Sequence, residues 1–114
     1  MAYFVTQSVQ GPEWVDARPL REQALWTEHA AFINRLMYAG FIVLGGPIGR
    51  EHPHRALLII QAEDEAKVQA TLAEDPWITT GMIRLTSVEP WKILVSNDLL
   101  DPVLAEIAKL VPAA

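Results

Sequence analysis

The chain reads as an α+β fold of ferredoxin-like type, with the element order βαββαβ, an antiparallel sheet and one added C-terminal helix. Three observations lead there. Residues 2–9 alternate in the way of a half-buried strand, with Tyr3, Val5 and Val9 on one side and Phe4, Thr6 and Ser8 on the other. Leu25, Phe32, Ile33 and Leu36 recur at the three- and four-residue spacings of one apolar helix face. Residues 55–62 are apolar at both parities, Ala56, Leu58 and Ile60 against Leu57 and Ile59, which predicts a strand buried on both sides of its sheet.

The elements follow in order. Gly11-Pro12 ends the first strand, and residues 13–18 connect it to a helix predicted over 19–39, with Pro19 suited to the first turn. Gly40 stops that helix. A second strand follows over 41–48, interrupted by Gly45-Gly46-Pro47, then a polar turn over 49–54 and the third strand. Asp64 is placed to cap a second helix that carries Val68 and Leu72 and ends near Glu74, because Pro76 holds Asp75 extended. A fourth strand is predicted over 82–88, closed by Glu89-Pro90-Trp91, with a short extension over 92–95. Asp101 and Pro102 open a last helix whose Leu104, Ile107, Ala108 and Val111 share one face. Residues 1–95 are thus read as one ferredoxin-like domain and 96–114 as a C-terminal helical extension. A sheet with helices on one face and apolar residues on the other has reason to dimerise face to face, as in a dimeric α+β barrel.

Composition narrows the function. The 114 residues are 51% hydrophobic and 20% charged, as in a globular domain. A net charge of -5 with no basic cluster argues against nucleic acid and anionic membrane as partners. No cysteine is present, so disulfides, thiolate catalysis and cysteine metal sites are excluded. The first residues lack the basic and apolar regions of a secretion signal, and no apolar run has the length of a membrane span, so a cytoplasmic location is expected.

Four further features occur in order: a histidine on the first helix, His29; Gly45-Gly46-Pro47; Asp75-Pro76-Trp77 followed by Gly81; and Pro90-Trp91. Together they resemble the YciI-like (YCII-related) family of the dimeric α+β barrel superfamily, over about residues 2–92. The chain departs from that pattern at Trp26, where many members carry Arg or Lys, and in an insertion-like stretch over 10–18. The resemblance implies a homodimer or a larger assembly, and a site centred on His29 and Asp75.

The residues themselves are compatible with that. His29 interrupts an apolar stripe, where a polar group needs a partner. A carboxylate on one imidazole nitrogen fixes the tautomer, and the other nitrogen is then free for acid–base work near neutral pH. Gly45, Gly46 and Pro47 are expected to let backbone, and a small ligand, approach closely, and Trp77 to line the pocket. His52 and His54 offer two imidazoles but no third ligand, and no glycine-rich phosphate loop is present, so neither a metal nor another cofactor is expected. The expected activity is a cofactor-independent proton transfer on a small cyclic or aromatic substrate, by isomerisation or by elimination of the dehydrochlorinase kind. The alternative is a non-enzymatic binding or interaction module in which the pair is structural. An open cavity reaching His29 favours the first, and a filled space there the second.

Overall fold

A computed structural model describes residues 1–111; positions 112–114, the end of the predicted C-terminal extension, lie outside the described residues. Strands β1 (Ala2–Gln10), β2 (Ile42–Pro47), β3 (Arg55–Ala62) and β4 (Ile83–Trp91) form one sheet in the order β2-β3-β1-β4, with every neighbouring pair antiparallel. Helices α1 (Trp26–Tyr38) and α2 (Glu65–Leu72) make the two crossovers of a ferredoxin-like fold. A one-turn helix α3 (Pro76–Thr79) precedes β4, and α4 (Asp101–Ala108) follows it.

The core lies between the sheet and the helices. Phe4 of β1 faces Ile60 of β3, and both pack with Phe41, Ile42, Val68 and Leu72. Ile33 and Leu36 of α1 lean on the same cluster, as the helical spacing requires. Trp77, Met82 and Ile83 form a second cluster under Trp14, Leu20 and Trp26.

Two bulges decide which side chains reach this face. Along β4 the pairing with β1 shifts between Gln7 and Ser8, so Ser87 faces Gln7 while Leu85 faces Ser8. The extra residue, Thr86, donates its hydroxyl to the Gln7 carbonyl at 3.0 Å. Because strand side chains alternate, the shift lets Ile83 and Leu85 share the helix-facing side with Val88, although their numbers differ in parity. In β2 a shift between Ile42 and Leu44 puts Gly45 opposite Leu58. A Cβ on Gly45 would lie 2.8 Å from the Leu57 carbonyl oxygen, a backbone atom that cannot turn away, so glycine is required there.

The first helix is shorter than its periodicity predicts. Residues 20–22 form a 3-10 turn, Gln23 is extended, and Leu25 sits at φ 61°, in the left-handed region, before α1 starts at Trp26. Tertiary hydrogen bonds hold this break. The buried Gln23 side chain accepts from the Val15 amide at 3.0 Å and donates to the Val15 and Arg18 carbonyls at 2.7 and 2.8 Å. The Ala24 carbonyl accepts from the Trp77 indole at 2.7 Å. Leu25 is therefore outside the helical stripe, and it is 39% exposed.

The other boundaries differ by small amounts. The second helix ends at Leu72, and β4 runs on to Trp91, leaving no strand over 92–95. The last helix is preceded by Leu100 rather than capped by Asp101. That helix comes back to the body of the chain: the Gln61 side chain donates to the Gly40 carbonyl at 2.7 Å and to the Ile107 carbonyl at 2.9 Å. Leu94, Val95, Leu99 and Val103 around it remain exposed.

A left-handed conformation costs a residue with a Cβ about 1–2 kcal/mol, and glycine adopts it freely. Leu25→Gly should therefore leave the urea unfolding free energy unchanged or raise it by about 1 kcal/mol, although Leu-to-Gly changes normally destabilise. A loss larger than about 1 kcal/mol would mean that the Leu25 side chain contributes packing that outweighs the strain.

Candidate active site

The break before α1 places Trp26 and His29 in its first turn, beside α3. There the chain turns through Asp75. Pro76 holds Asp75 in an extended conformation, and the Asp75 side chain caps α3 by accepting from the Trp77 amide at 2.9 Å. The same carboxylate has both oxygens 2.9 Å from Nδ1 of His29. Asp75 is 2% exposed. A carboxylate buried this far is costly unless donors surround it, and it has the Trp77 amide and the imidazole.

The imidazole is held by more than this bond. Trp77 stacks on it with ring centroids 3.9 Å apart and planes 7° from parallel, and Trp26 lies tilted at 5.9 Å. The Trp77 indole is fixed in turn by its bond to the Ala24 carbonyl. His29 thus has its orientation set by a carboxylate and by a ring face. With Nδ1 engaged as donor, Nε2 is the nitrogen that can accept a proton.

His29 lines a cavity of about 180 Å³ between the helices and the sheet. Its walls are mostly apolar: Leu20, Trp26, Ile33, Leu58, Leu72, Trp77, Ile78 and Ile83. Gly45, Gly46 and Pro47 form the β2 side, and Ser8, Asp75 and His54 add polar groups. The six residues singled out in the sequence, His29, Asp75, Gly45, Gly46, Pro47 and Trp77, therefore meet around one space. The volume fits a single ring with small substituents rather than a drug-sized molecule. A larger open groove of about 650 Å³ runs alongside, between residues 14–20 and 47–55, and shares Leu20, Pro47 and His54 with the cavity.

His54 and Ser8 are cavity residues that the sequence reading did not place there. His54 is set in place by Gln10 and Trp14. Its backbone is clamped by Gln10, whose amide donates to the His54 carbonyl at 2.8 Å and whose side chain accepts from the His54 amide at 2.7 Å. Its ring stacks on Trp14 at 4.2 Å and 8°. Trp14 meets Trp77 edge-on at 5.4 Å. Burial first, and the neighbouring His29 second, hold His54 below the ordinary imidazole value of 6.5. The separate His52 points to Asp16, 3.4 Å away. Among the described residues no group of three or more His, Asp or Glu is placed to hold a metal, and no helix is long and apolar enough to cross a membrane.

With the fold and the cavity in view, comparison with known proteins decides the family. The YCII-related domain model matches residues 4–92. The chain belongs to the YCII-related family. No curated protein matches it. Among solved structures it is similar to TftG, the 5-chloro-2-hydroxyhydroquinone dehydrochlorinase of Burkholderia phenoliruptrix AC1100, in complex with 2,5-dihydroxybenzoquinone. The two share 24% identity with a TM-score of 0.52, over 81% of this chain and 94% of that one. At that identity the likeness establishes the fold. The YCII match ends at residue 92, before α4 begins.

The lowered His54 value gives a pH dependence of definite sign. As pH falls below 6.5, the unfolded chain takes up a proton at His54 before the folded chain does, so protonation favours unfolding. His54→Gln should therefore lose less stability than wild type between pH 7.5 and about pH 5. Parallel thermal melts of the two proteins across that range test this, and identical slopes would show that folding does not hinder protonation of His54.

Proposed function

We propose that this YCII-related protein is a small enzyme in which His29, oriented by Asp75, transfers a proton on a small cyclic or aromatic molecule bound in the cavity. The observation that carries the reading is the imidazole itself. It is pinned at Nδ1 by a buried carboxylate, stacked on Trp77, and set in the wall of an apolar space of ring size. A purely structural histidine needs the partner but not the space.

In the proposed step, Nε2 of His29 takes a proton from a carbon next to a carbonyl or from a ring hydroxyl. The imidazolium that forms faces the Asp75 carboxylate, which stabilises it. Return of the proton to a different carbon completes an isomerisation. Expulsion of a leaving group such as halide or hydroxide, with its bonding electrons, completes an elimination. The residues present supply this chemistry without a cofactor. The dehydrochlorinase activity named for TftG is of the second kind, which makes hydroxylated, halogenated rings the first substrates to try.

The two side chains should fail differently when changed. His29→Gln keeps a donor for Asp75 but provides no base, and should abolish turnover. Asp75→Asn keeps the cap on Trp77 but turns an amide towards Nδ1, which favours the wrong tautomer. It should lower kcat by roughly 10²–10⁴. Chloride release from 5-chloro-2-hydroxyhydroquinone gives the assay. Turnover unchanged in His29→Gln would remove His29 from the reaction and leave the pair a structural one.

The proposed unit is a homodimer. On the sheet face away from the helices the single chain leaves Leu44 and Trp91 exposed, and Val5, Val9 and Leu57 half-buried. A second copy covering this face would close the barrel. Light scattering at micromolar concentration should give twice the chain mass of 12.7 kDa, and the monomer mass would refute the barrel.

A further inference from the structure

We propose that His54 is a second substrate-contacting residue of the cavity, donating a ring N–H to the carbonyl or enol oxygen of the cyclic molecule on which His29 acts. The assignment rests on the proton-transfer reading of His29 above, and assigns the other half of the reaction.

Three observations support it. His54 lines the same cavity as His29, so a ring bound there lies within reach of both imidazoles. It is built into place, with both backbone groups tied to Gln10 and its ring stacked on Trp14. An incidental loop histidine needs no such fixing. Its ring nitrogens have no hydrogen-bond partner among the described residues, whereas His29 has Asp75. Asp16, an acid of the adjoining groove, is engaged by Gln10 and His52.

The two imidazoles therefore stand in different surroundings and suit different tasks. One has a carboxylate behind it to stabilise a positive charge. The other is partly buried and stands near His29, and both conditions favour the neutral ring. Environments that separate two like groups in this way divide the acid and base roles between them. When His29 takes the proton, the C–H bonding pair becomes the C=C bond of an enolate, and the negative charge moves to the former carbonyl oxygen. A neutral imidazole N–H fixed beside that oxygen stabilises the charge as it develops and itself transfers no proton. In an isomerisation the proton returns from His29 to another carbon. In an elimination the oxygen's electron pair re-forms C=O, the enolate C=C pair shifts to make the new C=C bond to the carbon that bears the leaving group, and the leaving group departs with the electrons of its own bond.

The chain has three histidines, so one spectrum tests the assignment. Protein labelled with ¹⁵N at histidine is titrated with 2,5-dihydroxybenzoquinone, the molecule bound by TftG. The His29 and His54 ring signals should both move, and that of His52, whose side chain is 69% exposed, should stay. His54→Gln retains an N–H donor and should bind within about threefold of wild type. His54→Leu keeps an apolar contact for Trp14 but has no donor, and should bind about tenfold more weakly. A titration that moves His29 alone, or a Leu variant that binds as wild type does, overturns the role of His54 and leaves that of His29 standing. A titration that moves neither ring overturns both.

Discussion

The Asp75 carboxylate organises the middle of this protein. It is buried, and its two hydrogen-bond donors come from different elements: the amide at the start of α3 and the ring of His29 on α1. Removing one partner of a buried ionisable pair typically costs several kcal/mol, because the other is left without compensation. The contact thus ties the second crossover to the first, while fixing which imidazole nitrogen faces the cavity. Trp77 serves the same two ends. Its amide caps on Asp75, its ring covers His29, and its indole N–H holds the Ala24 carbonyl next to the strained Leu25. A short segment, Asp75-Pro76-Trp77, accordingly sets both the start of α1 and the orientation of its histidine.

What the sequence made legible was the periodic part. Alternation in residues 2–9, the two-sided run over 55–62 and the helical spacing of Phe32, Ile33 and Leu36 each report a burial pattern directly. Their order is enough for the ferredoxin-like topology. The start of α1 was not legible, because helical spacing continues through Gln23-Ala24-Leu25 while the bonds that break the helix come from Val15 and Arg18 in the preceding loop and from Trp77, far along the chain. The bulges at Val43 and Thr86 were hidden for a related reason: alternation says which residues share a face only until an extra residue reverses the parity.

The candidate site divides in the same way. His29 showed itself as a polar residue inside an apolar stripe. Its pairing with Asp75 came from family resemblance, since 46 residues separate the two and no local pattern links them. His54 gave a weaker sign. It sits at the edge of a strand in a polar turn, next to another histidine, and reads as an exposed residue. Only the register that sets it beside Gln10, and the fold of residues 11–19 that brings Trp14 over it, turn its ring into a wall of the cavity.

The aromatic wall also has an optical meaning. Of the four tryptophans, Trp77 lies 5.4 Å from Trp14 in an edge contact and 5.7 Å from Trp26 in a tilted one, and each of the three is paired with a cavity histidine. Trp91 stands apart at the far end of β4. Energy absorbed by any member of the trio passes readily to the others at such separations. Three of the four indoles therefore stand at the two cavity imidazoles, and the chain carries its own chromophore for events in that space.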